Sequence, residues 1–117
     1  MQTTVNTHSL PTNDSVVVIH ISGSVDGHNS INLENVFNEQ VKQGNTKLVA
    51  DMTQVNYISS SGLRALLGSM RASREKEGDL RIAAVQPNVA EVLEISGLAE
   101  LFVFCDDVAA AVQSFNN

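Results

Sequence analysis

Three consecutive hydroxyls, Ser59, Ser60 and Ser61, occupy the segment YISSSGLRALL where an apolar stretch meets a run of helix formers. One serine suffices to cap a helix, because its side chain accepts a hydrogen bond from a free N–H of the first turn. A triplet leaves at least one hydroxyl free to face solvent. A nucleophile elbow, Gly-x-Ser-x-Gly, is incomplete: Gly62 stands two places after Ser60, but Ile58 stands two places before it. A catalytic triad needs a histidine base, and His8, His20 and His28 lie in no motif that places one beside the serines. The phosphate-cradling Gly-x-x-x-x-Gly-Lys-Ser/Thr loop and the Gly-x-Gly-x-x-Gly turn are both missing, and the histidines lack metal-ligand spacing. These spacings imply no catalytic residue, no metal and no cofactor, and leave the junction as a capped helix start with small loop residues beside the cap, or as a binding surface or modification site.

The elements that must position the serines follow from hydrophobic periodicity. VVVIHIS, 16–22, is β-branched and apolar enough for a strand covered on both faces, with Gly23 as its stop. Ile31, Leu33, Val36, Phe37 and Val41 are close to helical spacing, with Asn29 or Ser30 as the cap and Gly44 as the end. KLVAD, 47–51, reads as a short buried strand, and TQVNYI links it to the serines. Leu63, Leu66, Leu67 and Met70 form one stripe of a second helix that Gly78 ends. LRIAAV, 80–85, is a further strand; Pro87 suits the first turn of a third helix closed by Gly97. LFVF, 101–104, is expected to be the last strand, and Asp106 the cap of a short final helix. QTTVNTH adds an edge strand at the start. The class is α/β, one domain over residues 1–117, with a mixed or mostly parallel sheet of four to five strands and about four helices packed on it.

Composition narrows the partners. The chain has 117 residues, 43% hydrophobic, enough for one core and without room for a second domain. A net charge of -6 disfavours nucleic acid and anionic membrane, since both require a basic footprint. No apolar run is long enough to span a bilayer, and MQTTVNTHSL lacks the features of a secretion signal, so a cytoplasmic location is expected. Cys105, the single cysteine, sits in LFVFC and reads as a small core hydrophobe. Four of the seven basic residues, Arg64, Arg71, Arg74 and Lys76, fall within one segment after the serines, a local asymmetry suited to a protein partner or to a solvated helix face.

ISSSGLRALL, preceded by LVADMTQVNY, resembles the signature of the STAS domain family, in particular the bacterial anti-sigma factor antagonists. The likeness rests on Asp51, Val55, Ile58, Ser60, Ser61, Gly62 and Leu63, and on the turn formed by Gly23, Val25 and Asp26. It extends to the order of elements over nearly all of the chain. The resemblance implies a regulator that is not an enzyme. Unmodified, it would bind an anti-sigma factor that is a serine kinase and so free the sigma factor; phosphorylation would release it, and a PP2C-type phosphatase would restore it. Counting back from Gly62, the family's phosphoacceptor falls on Ser60, with Ser59, Ser61, Gly62 and Asp26 supporting it. Ser60, Arg64, Arg71 and Arg74 are the expected partner-binding residues. The chain departs from the family at Ser59, where Asp is common. The alternative is a STAS scaffold or accessory subunit of a stress-sensing complex or transporter that does not cycle on Ser60.

Overall fold

The structure, a computed structural model, describes residues 1–116. Five strands lie in the order β1-β2-β3-β4-β5: β1 Gln2–Ser9, β2 Ser15–Val25, β3 Lys47–Ile58, β4 Asp79–Ala83 and β5 Phe104–Cys105. β1 runs antiparallel to β2, and β2 to β5 are mutually parallel. Four helices alternate with the parallel strands: α1 Ser30–Lys42, α2 Ser60–Glu75, α3 Pro87–Ile95 and α4 Val108–Ser114, with a 3-10 turn at Leu98–Leu101. This is the mixed five-stranded, four-helix arrangement that the periodicity implied.

Alternation along the central strands builds two cores. Val17, Ile19 and Ile21 of β2 join Leu48, Ala50 and Met52 of β3 under α1, α2 and α3, through Leu33, Phe37, Leu63, Leu66, Met70, Val89 and Leu93. The intervening residues, Val16, Val18 and Val49, point to the opposite face and meet Ala111 of α4. Burial on both faces explains the nearly unbroken apolar run in β2. Cys105 is half-buried against the α4 cluster, and no described helix is long and apolar enough to cross a membrane.

Several boundaries differ from the sequence reading. β2 passes through Gly23 instead of stopping there, because Gly23 adopts a φ of 88° within a stretch where the β2–β3 register shifts twice. β3 takes in all of TQVNYI, since pairing with the irregular end of β2 extends it to Ile58. α2 ends at Glu75: Glu77, at φ 65°, takes the left-handed position, and the Gly78 N–H returns to the Ser73 carbonyl at 2.9 Å. β4 covers Asp79–Ala83 and not 80–85, with Ala84 at φ 57° turning the chain out of the strand. Of the expected LFVF strand only Phe104 lies in β5, which continues to Cys105, while Leu101 belongs to the 3-10 turn. Asp107, not Asp106, caps α4, its carboxylate accepting the Ala110 N–H at 2.7 Å. Ile31, expected on the core stripe of α1, is 64% exposed.

Candidate functional site

The three serines have three different environments. Ser59 is the N-cap of α2, in extended conformation, and its Oγ accepts the Gly62 N–H at 3.1 Å. Its own N–H donates to the Val25 carbonyl at 2.8 Å, which joins the end of β3 to the end of β2. Ser60 is the first residue of the helix and is exposed. Ser61 is half-buried, its Oγ beside Gly27: a Cβ on that glycine would lie 3.9 Å from it. With Ser59 committed to the cap, Ser60 is the hydroxyl left facing solvent. The N–H groups of Ser60 and Ser61 fall in the first turn, where no intrahelical acceptor exists, and the helix dipole places partial positive charge there.

The neighbouring loop is preorganised by Asp26. Its Oδ1 accepts the His28 N–H at 2.9 Å and the Asn29 N–H at 3.3 Å, and the Asn29 side chain bridges from the Asp26 N–H to the Ser24 carbonyl, both at 2.9 Å. The Asn29 side chain is therefore engaged in the turn and gives α1 no cap hydrogen bond. Asp26 shapes the loop that abuts Ser61, and its hydrogen bonds all lie within its own turn.

Ser60, Arg64 and Arg71 share one stripe of α2, at spacings of four and seven residues. Arg64 and Arg71 are exposed, and neither has an ion-pair partner among the described residues. Arg74 differs. Its Nε donates to Asp79 Oδ1 at 2.8 Å and its guanidinium also reaches the Leu101 carbonyl at 2.9 Å, so it ties α2 to β4 and the 3-10 turn. A groove of about 440 Å³ lined by Met70, Arg71, Arg74, Glu75 and Leu101 marks that end of the helix.

A second polar cluster was not legible in the sequence. His20 on β2 and Asp51 on β3 are opposite each other in register, and His20 Nδ1 lies 2.6 Å from Asp51 Oδ2. Asp51 Oδ1 also accepts from the Thr53 N–H and hydroxyl. Burial pushes the Asp51 carboxyl up, but the hydrogen bonds from Thr53 and His20 outweigh it and hold the group below its ordinary value. Because the partners are 31 residues apart, only strand register reveals the pair.

The STAS domain model matches residues 8–111. The chain belongs to the STAS domain family. BtrV of Bordetella bronchiseptica is 33% identical over 102 residues, covering 87% of this chain and 88% of that one. The anti-sigma F factor antagonist of Paenibacillus polymyxa is 26% identical over 98 residues, covering 83% and 84%. In three dimensions the STAS chain superposes on the anti-sigma factor antagonist SpoIIAA of Bacillus in its unphosphorylated form, with a TM-score of 0.76 at 22% identity, over 97% of this chain and 96% of that one. SpoIIAA has also been solved phosphorylated, and that form gives a TM-score of 0.65 over 92% and 96%. At this identity the superposition concerns the fold.

Proposed function

We propose that this STAS protein is an anti-sigma factor antagonist whose binding surface is switched at Ser60. Unmodified, it binds an anti-sigma factor that is a serine kinase and so frees a sigma factor; phosphorylation of Ser60 breaks that contact, and a PP2C-type phosphatase restores it. The observation that carries the reading is the division of labour in the triplet: Ser59 holds the helix, Ser61 faces the Asp26 loop, and Ser60 presents a free hydroxyl at a helix start. The family membership and the relatives named as anti-sigma factor antagonists support it.

The physical consequence is local. A phosphoserine carries about -1.5 to -2 charges at neutral pH. The first-turn N–H groups and Arg64, one turn further along, tolerate that charge within the domain. A partner packed on a neutral hydroxyl must instead desolvate or repel a dianion, and a loss of about 3 kcal/mol weakens binding by more than a hundredfold. Arg64 and Arg71 extend the binding stripe along α2. Arg74 continues it only in part, because its own chain engages it. The test is to incubate the protein with ATP and the serine-kinase anti-sigma factor from the same genome, then locate the phosphate by mass spectrometry. Phosphate on Ser60 is expected; modification mainly on Ser59 or Ser61 overturns the assignment.

A further inference from the structure

The two margins of the sheet are unequal. β5 is two residues long, too short to template another strand. β1 is eight residues long and pairs with β2 in unbroken register from Gln2–Ser22 to Ser9–Ser15, and no other strand among the described residues covers its outer edge. The usual protections of an edge are lysine, proline, a bulge or shortness, and β1 has none of them. Every second residue of such a strand turns its N–H and C=O outward, ready to pair.

The charge distribution says what suits that edge. Of the chain's 7 basic and 13 acidic residues, none lies before Asp14, and Asp14 is itself paired with Lys47 at 2.6 Å. Two copies, each of net charge -6, repel least where they meet through a surface without charged side chains, and a two-fold axis sets any charge beside the axis near its own copy. β1 is the strand whose self-pairing brings no such repulsion. We propose that β1 pairs antiparallel with β1 of a second copy of this chain, joining the two sheets into one.

Symmetry sets the register. A two-fold axis normal to the sheet keeps each side chain on its own face, so only residues an even number of positions apart oppose one another, and one residue faces its own copy across the axis. Val5, the one hydrophobic residue of β1 and 39% exposed, belongs beside the axis, where it packs against its copy. Thr4 then faces Asn6 of the second copy, Thr3 faces Thr7 and Gln2 faces His8. Such a strip falls short of the ~800 Å² per partner of a standard stable interface, so the association is concentration-dependent.

Sedimentation equilibrium from micromolar to millimolar protein tests it: the mass should rise from 12.6 kDa toward twice that value. Thr4→Lys/Asn6→Lys opposes like charges across the axis and should hold the mass at one chain; Thr4→Lys/Asn6→Glu opposes unlike charges and should restore the rise. Val5→Cys in a Cys105→Ser background, checked by circular dichroism, should cross-link to itself on oxidation, because facing Cα atoms in a strand pair are about 4.5–5.5 Å apart. Gln2→Cys, far from its copy, should not. A wild-type mass that stays at one chain, a dimer that survives the double lysine variant, or equal cross-linking at both cysteine positions overturns the pairing.

Discussion

Gly62 rests directly on Ile58: a Cβ on the glycine would stand 2.7 Å from Ile58 Cγ1, and 2.8 Å from Cγ1 of Val25. Both neighbours are core residues, 2% and 0% exposed, so neither has space to yield. The glycine brings the first turn of α2 down onto the ends of β2 and β3. Gly62→Ala gains about 1 kcal/mol of helix propensity but overpacks at a cost of about 1–3 kcal/mol. A net loss is expected in urea denaturation, and an increased midpoint would show that the contact is relaxed.

The cap should be separable from the switch. Ser59→Ala leaves the Gly62 N–H without its acceptor and should cost about 1 kcal/mol, whereas Ser59→Asp keeps an acceptor at the helix start and should match or exceed wild type. Ser60→Ala, which removes no hydrogen bond of the cap, should lie within about 0.5 kcal/mol of wild type. Urea midpoints of the three variants decide it.

Phosphorylation should act on the surface and leave the core alone. Leu63, Leu66 and Met70 anchor α2 on the side away from solvent, so Ser60→Asp should retain native circular dichroism and fail to bind the anti-sigma factor. Ser60→Ala should stay bound when ATP is added. The phosphorylated protein itself gives the clearest reading, since amide shifts spreading to β1 and α4 would show a global change.

Charge reversal on α2 should split by position. Arg71→Glu alters an exposed side chain that has no ion-pair partner among the described residues, and should weaken partner binding with stability within about 0.5 kcal/mol of wild type. Arg74→Glu removes the bond to Asp79, which is 8% exposed, and sets two carboxylates together; about 1–3 kcal/mol of destabilisation is expected. Equal urea midpoints for the two variants would contradict this placement of Arg74.

Asp51 should contribute to acid sensitivity. Its carboxyl is held below the ordinary value of 3.8, so the folded state binds this proton less readily than the unfolded chain. The resulting stabilisation is complete above the unfolded value and lost as pH falls through the lower folded value. Asp51→Asn should therefore be less stable than wild type at neutral pH, and the difference should shrink below about pH 4. A gap that stays constant down to pH 2 would remove Asp51 from the account.

Elements whose signals are local could be read from the chain. The apolar stripe of α2, Pro87 at the start of α3 and the Gly44 stop of α1 depend on neighbours within a turn or two, and the structure bears them out. The features that escaped depend on distant partners. TQVNYI looks like a link because Thr53, Gln54, Asn56 and Tyr57 are exposed, and only pairing with the bulged end of β2 makes it strand. Ile31 keeps helical spacing yet faces outward, since periodicity does not say where the packed stripe ends. Within the site, the register of Ser60 with Gly62 was legible; the assignment of the cap to Ser59 and the capture of Arg74 by Asp79 required coordinates.

The hydrogen bond from the Ser59 N–H to the Val25 carbonyl fastens the serine loop to the last rung of the β2–β3 pair, beyond the stretch where β1 and β4 flank it. A protein arriving at Ser60 meets a surface that has already lost its conformational freedom, and association there pays little for ordering it. Encounter then proceeds without a slow rearrangement on this side, and the lifetime of the complex rests on how well the arriving surface fits. Amide exchange provides the reading: the Ser59 N–H, held by the Val25 carbonyl, should exchange more slowly than the N–H of the solvent-facing Ser60 next to it.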